Sequence, residues 1–363
     1  MIIGCGDIGQ RLVRLLHGHW QVLGLARSAE TLARIRQSGA KALASDHAGS
    51  PAGTMKRLAN WATHIVHAAP PPADGLRDGV PADTLTQTWL TALRRPGAHR
   101  RHGRREHAGH RRRHPISVIT GLGPTPPARL RRPTNRRRLV YISTTGVYGN
   151  RHGAWVTESS RPLAQTDRAR RRVDAERLIR QAGRHSPHRL SVLTLRVPGI
   201  YAADRLPLQR LKAGVPALLP EDDVITNHIH ADDLVRCITS ALHRGGSQRV
   251  ANTVDDSHLR LGEYLDLIAD QTGLPRPPRR SRTQLERELG PGRMSFMRES
   301  RRITNQRLKH ELRVRLRYPT VQDFLRNISV TPSARTGEIR RRSLSTHEET
   351  TPPGTNEPVS DDK

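Results

Sequence analysis

The sequence predicts an α/β protein built on a doubly wound parallel sheet, with a smaller α/β part toward the C-terminus. Three observations predict it. Short apolar runs alternate with helix-periodic segments over residues 1–95 and again from residue 139. The first run, Met1-Ile2-Ile3, feeds directly into Gly4-x-Gly6-x-x-Gly9. An amphipathic stretch carrying Leu12, Val13, Leu15 and Leu16 follows that turn.

Strand, glycine turn and helix in this order form a dinucleotide-binding fingerprint. Gly4 permits the tight turn, Gly6 lets backbone approach a pyrophosphate, and Gly9 lets the helix pack against the strand. Asp7 and Ile8 lie inside the same turn, where the helix N-terminus faces the negative charge. The competing reading is an ordinary glycine turn.

Residues 20–26 read as a second strand ending Leu25-Ala26-Arg27-Ser28. In an NAD-preferring Rossmann unit an acid ends this strand and takes the ribose hydroxyls. Its absence, with Arg27 present, favours a 2′-phosphate and hence NADP over NAD. The alternative makes Arg27 a solvated residue at a helix start. Lys41 to Asp46 is a third strand ending in an acid. Ala62 to Ala69 is a fourth, stopped by Pro70-Pro71-Pro72. Leu85, Trp89, Leu90 and Leu93 share one helical face. Later segments continue the pattern. Order resumes over Arg138 to Gly149, residues 190–196 read as a strand, 167–182 and 261–272 as helices, and 297–327 as a closing helix and strand.

The net charge is +29, and nearly half of it sits between Arg94 and Arg138, where fifteen arginines face one glutamate. Three readings stand for residues 96–138. A nucleic-acid arm lacks aromatic stacking partners there. A metal site through His99, His102, His107, His110 and His114 is opposed by interleaved arginine and by the absence of Cys or an acid cluster. A low-complexity, disordered insert is favoured. Its Arg, Pro, Gly, Ala and His are also what a shifted frame of a GC-rich gene would encode. No metal site and no nucleic-acid partner are therefore expected. Residues 329–363 are rich in Ser, Thr, Pro, Glu and Arg and read as a disordered tail.

Cys5 and Cys237 offer no disulfide framework. No apolar run approaches the roughly 18 residues of a membrane span, and no basic leader precedes the first strand. A cytoplasmic protein is expected.

Several stretches together resemble the extended short-chain dehydrogenase/reductase superfamily, also called the NAD-dependent epimerase/dehydratase family. They are Gly4-x-Gly6-x-x-Gly9, Asp46, His67-Ala68-Ala69, Tyr141 to Gly149, Glu176, Arg196 to Tyr201, and His228-Ile-His230-Ala-Asp232-Asp233-Leu234. The resemblance covers residues 1–95 and 139–328. It is nearest to atypical members whose turn is GxGxxG where most have GxxGxxG. It implies that Gly4, Gly6 and Gly9 hold a pyrophosphate and that Arg27 meets the adenosine ribose. Asp46 would lie beside the adenine, His67, Ala68, Ala69 and Ser143 would line the cleft, and Pro198 would pack near the nicotinamide. Thr144, four residues before Tyr148, falls where the family keeps the hydroxyl that bonds the reacting substrate oxygen. Plain strand-end geometry is the competing account of Asp46, the Ala pair and Thr144.

One departure is decisive. The family's proton-transfer pair is a Tyr and a Lys four residues apart, with an acid often four further on. Counting back from Glu176 puts Arg172 at the Lys position and Arg168 at the Tyr position, and no Tyr lies between Gly149 and Ile200. A phenol becomes a usable acid/base when a neighbouring cation lowers its pKa. Guanidinium stays protonated and cannot stand in for it. Arg172 can still serve the nicotinamide ribose, where a donor suffices. Tyr148 and Tyr201 remain as phenols from other walls of the cleft, Tyr148 being the catalytic candidate beside Thr144.

The expected domains are a dinucleotide-binding unit over 1–200 plus about 225–255 and a smaller substrate-facing part over 201–224 and 256–328. The expected activity is that of an NAD(P)-dependent oxidoreductase or epimerase-like enzyme. Its small-molecule substrate would be a polar carbonyl or hydroxyl compound, nucleotide-sugar-like in character. His230, Arg205 and Arg301-Arg302 could face an anionic group, or be solvated surface. The alternative is a non-catalytic dinucleotide-binding sensor or scaffold. A homodimer is left open.

Overall fold

The computed structural model describes residues 1–45, 61–93, 136–186, 189–294, 297–330 and 339–341, together with Met55, Arg57 and Leu58. Asp46 and nearly all of the basic block lie outside the described residues.

Seven strands form the central sheet: β1 (Ile2–Ile3), β2 (Leu23–Ala26), β3 (Lys41–Ala44), β4 (His64–His67), β5 (Arg137–Thr144), β6 (Leu190–Val197) and β7 (Arg249–Asn252). Their spatial order is β7-β6-β5-β4-β1-β2-β3. Every neighbouring pair runs parallel. The chain builds outward from β1 to β3, then returns and builds outward the other way from β4 to β7. The crevice beyond the carboxyl ends of β1 and β4 is thus the topological switch point, where doubly wound sheets bind ligands.

Alternation along the strands divides the core into two layers. On one face Ile2, Val66, Val140, Leu193, Leu195 and Val197 pack against helix α1 (Asp7–Leu16) through Leu12 and Val13, and against a later helix through Leu234 and Ile238. On the other face Ile3, Ile65, Leu139, Tyr141 and Val192 meet α3 (Thr84–Leu93) through Leu85 and Trp89, and α4 (Asp167–His185) through Ala175 and Ile179. Helix α2 (Ala29–Gln37) covers the first face with Leu32 and Ile35. The later helix is α5 (Ala231–Arg244). Truncating a fully buried residue such as Leu12 to Ala removes apolar burial and leaves a void, costing about 2–5 kcal/mol.

The C-terminal layer has its own apolar cluster of Tyr201, Leu265, Ile268, Tyr318, Phe324 and Ile328, built partly on α6 (Leu261–Thr272). Gly199–Tyr201 pairs in parallel with His228–His230 and joins this layer to the end of β6.

The closing segment differs from the expected helix and strand. Strand Arg302–Ile303 comes first, then short helices Gln306–His310 and Val321–Arg326. Arg313, at φ +52°, turns the chain out of the first helix, and Asp233 holds the later part of the gap. Its carboxylate accepts from the backbone N–H groups of Arg317 at 2.7 Å and Tyr318 at 2.9 Å, so those groups make no helical bonds. Pro319 follows and removes a further donor. Ile328–Val330 then pairs antiparallel with Ile339–Arg341, inside the stretch whose composition predicts a disordered tail.

Candidate functional site

The glycine turn occupies the switch point, and each glycine meets a different environment. Gly4 has φ +78°, and a Cβ there would lie 2.4 Å from the backbone N of Ala69. β1 and β4 approach so closely at this point that the N–H groups of Ala68 and Ala69 both reach the Ile3 carbonyl, at 2.8 and 2.9 Å. A Cβ on Gly9 would meet Cys5 Sγ at 2.9 Å and Ile2 Cγ2 at 3.3 Å, so this glycine sets how closely α1 lies on the sheet. Gly6 is exposed, and a Cβ there would meet nothing within 4 Å. Gly6 is also the N-cap of α1 and supplies no side-chain cap. Space therefore opens directly in front of the helix N-terminus, where a pyrophosphate can approach the N–H groups of Asp7 and Ile8. The residues fit a dinucleotide phosphate at this place.

Around this cradle, Arg27 is exposed after the end of β2. Ser28 beside it caps α2 by accepting from the Thr31 N–H. Ala68 is half-buried and Ala69 buried at the end of β4. His67 is turned inward. Its Nε2 pairs with Thr86 Oγ1 at 2.9 Å, and Thr86 in turn donates to Asp83 at 2.7 Å. Burial raises the Asp83 pKa, partly countered by the Thr86 hydrogen bonds. Pro198 is half-buried just past β6.

At the end of β5, Ser143 and Thr144 point to opposite faces. Thr144 is half-buried, and its Oγ1 accepts from the Gly146 N–H at 3.2 Å, capping a short 3-10 turn over Thr145–Tyr148. The hydroxyl proton is left to donate. The Ser143 hydroxyl donates to Glu176 Oε1 at 2.6 Å on the α4 side. Glu176 also receives Arg196 Nε and Nη2 at 3.1 and 2.7 Å. Arg172 likewise turns toward the sheet, where its Nη1 donates to the Tyr141 hydroxyl at 3.1 Å and to the Ile142 carbonyl.

The two phenols nearest this strand end are fully buried. Tyr148 donates to Asn252 Oδ1 at 2.7 Å, with the Arg196 guanidinium 4.7 Å above its ring. Burial pushes the pKa of Tyr148 and Tyr141 upward, against the opposing pull of Arg196 and Arg172 respectively. Tyr201 is buried against His230 and Phe324, and burial likewise raises its pKa. Arg168 is exposed on the first turn of α4.

The basic candidates for an anionic group separate cleanly. Arg301 and Arg302 donate to the carbonyls of Gly149 and Gly153 and pin the loop after β5. His230 is fully buried and caps α5 by accepting from the Asp232 N–H. Arg205 alone of these reaches the cradle, donating to Asp7 Oδ2 at 2.8 Å. Sequence reasoning missed the Asp7–Arg205 and Ser143–Glu176–Arg196 pairings. Alternation along β5 is the signal that separates Ser143 from Thr144; no local signal links Asp7 to Arg205. Among the described residues no group of three or more His, Cys, Asp or Glu could hold a metal ion, and no helix is long and apolar enough to cross a membrane.

This sheet order, glycine turn and C-terminal layer define the fold of the extended short-chain dehydrogenases/reductases. Solved structures share it. A conserved protein of unknown function from Silicibacter pomeroyi is 26% identical, with 90% of this chain and 95% of that one covered at a TM-score of 0.66. UDP-glucuronic acid 4-epimerase from Bacillus cereus in complex with NAD is 13% identical over 89% and 93%, at 0.60. dTDP-glucose 4,6-dehydratase from Bacillus anthracis in complex with NAD is 14% identical over 89% and 93%, at 0.62. No family model matches the chain. No curated protein matches it either.

Proposed function

We propose that this protein binds a nicotinamide dinucleotide in the crevice between β1 and β4 and acts as an NAD(P)-dependent oxidoreductase or epimerase-like enzyme. Its substrate is a polar carbonyl or hydroxyl compound, nucleotide-sugar-like in character. The observation that carries this reading is the open space at Gly6, framed by Gly4 and Gly9, where a Cβ would lie under 3.0 Å from its neighbours. Structural neighbours solved with NAD support it.

Gly4, Gly6, Asp7, Ile8 and Gly9 form the pyrophosphate cradle. Ala68, Ala69 and Pro198 form the walls. Arg27 beside the Ser28 cap offers a cation to a 2′-phosphate, which favours NADP over NAD. Asp46 belongs to the same proposal as the adenine-side acid. A bound nicotinamide supplies a hydride donor or acceptor. Thr144 orients the substrate by donating its hydroxyl proton to the reacting oxygen. Tyr148 takes no proton-transfer role in this account, because its hydroxyl is held by Asn252 away from solvent. His67, Ser143 and Arg172 support the cleft walls from behind.

A second reading is favoured by one specific observation. Arg168 and Arg172 stand where a phenol and an ammonium are needed, and Tyr141 and Tyr148 are both buried and bonded. That leaves dinucleotide binding without acid/base chemistry, as in a sensor or scaffold. Titration with NADPH and NADH, followed by a carbonyl-substrate screen with Thr144→Ala as control, separates the two. Turnover abolished in Thr144→Ala supports the enzyme. Saturable binding without turnover supports the sensor.

A further inference from the structure

Asp7 opens α1, and Arg205 ends the short turn Ala203–Arg205, which follows the strand Gly199–Tyr201 in the C-terminal layer. Arg205 Nη1 donates to one Asp7 oxygen at 2.8 Å, and Arg11 Nε donates to the other at 3.0 Å. Arg11 also reaches Asp204 at 2.6 Å and Asp232 at 3.5 Å. Three acids and two arginines thus gather beside the glycine cradle. Arg11 is held from three sides and is 12% exposed, whereas Asp7 and Arg205 are 38% and 35% exposed. The outer pair is the one able to change partners.

A carboxylate on the first residue of a helix sits in the same favourable field that attracts a phosphate. Asp7 is therefore a resident anion beside the place proposed for the pyrophosphate, and it repels that group. Arg205, already at the cradle, is placed to meet it. We propose that Asp7 and Arg205 form a charge latch over the dinucleotide cradle. Asp7 opposes the pyrophosphate, and Arg205 passes from Asp7 to the pyrophosphate when the dinucleotide binds. The latch also ties the C-terminal layer to the occupancy of the cradle. This inference rests on the dinucleotide reading of the crevice.

The test is NADPH fluorescence titration of the full chain at low and high salt, with thermal melts of each variant to confirm folding. Asp7→Asn should tighten binding several-fold. Arg205→Ala should weaken it about tenfold, the scale of one charge-assisted hydrogen bond. Added salt should narrow the gap between the two, because both groups are solvent-accessible. Asp204→Asn, in the same ion cluster but bonded to Arg11 rather than to Asp7, should leave affinity within about twofold of the native chain, since a screened surface pair contributes little. Native-like affinity in both Asp7→Asn and Arg205→Ala, with binding intact in the native chain, overturns the latch alone. So does a change in Asp204→Asn as large as that in Asp7→Asn. Absence of binding in the native chain overturns the crevice reading and the latch together.

Discussion

Glu176 on α4 holds Arg196 on β6 in a two-point ion pair at 3.1 and 2.7 Å, with side chains 5% and 2% exposed. The Ser143 hydroxyl adds a third donor to the same carboxylate. A buried pair of this kind is costly to break from one side, because the surviving charge is left without its partner. Glu176→Ala should lower unfolding free energy by about 3–5 kcal/mol in urea titration. Replacing both members with Leu and Met should cost much less than the sum of the two single changes.

Tyr148→Phe separates structure from chemistry. The change leaves Asn252 Oδ1 without its phenol donor in a buried place, which costs about 1–3 kcal/mol. If Tyr148 only packs and bonds, turnover per folded molecule stays at the native level while the melting temperature falls. A loss of turnover at native stability would return Tyr148 to the reaction.

His228 should give the protein an acid-sensitive step. Burial against Tyr264, stacked at 4.1 Å, lowers its pKa to about 3. An unfolded chain titrates this group near 6.5, so below that pH the unfolded state binds a proton that the folded state refuses. Stability is unaffected above pH 6.5 and falls as the pH drops from there toward 3, by about 1.4 kcal/mol per unit from this residue. His228→Phe keeps the stack and removes the proton. Urea unfolding at pH 7, 6 and 5 should show a shallower acid slope in His228→Phe than in the native chain.

The glycines should divide in stability measurements. Gly4→Ala forces a Cβ onto the Ala69 backbone at a positive φ and should cost more than about 2 kcal/mol. Gly9→Ala pushes against Cys5 and Ile2 and should cost about 1–3 kcal/mol. Gly6→Ala meets open space and should cost only about 1 kcal/mol, the loss of a glycine N-cap.

The fold was legible because its signals are local. Gly4, Gly6 and Gly9 follow a strand directly, and alternation such as Ile2 against Ile3 or Val140 against Tyr141 follows from the strand period alone. The parallel sheet followed from strands alternating with helical segments; the order of its strands is seen only in the structure. The pairing of side chains across the crevice was not legible. Asp7 and Arg205 are 198 positions apart, and nothing near either residue announces the other. Ser143 and Thr144 are both strand-end hydroxyls in the sequence; the face each one occupies assigns Ser143 to Glu176. The closing segment departs from a single helix because Arg313 takes a positive φ and Asp233, 84 positions before Arg317, takes the N–H groups of Arg317 and Tyr318.

In the proposed function the space in front of Gly6 receives a dinucleotide pyrophosphate. NADPH titration of the native chain and of Gly6→Ala tests it most directly. Binding should saturate in the native chain and weaken at least about tenfold, the scale of a 1.4 kcal/mol loss, in a Gly6→Ala protein that still folds at the assay temperature. No saturable binding in the native chain, or equal binding in both proteins, would contradict it.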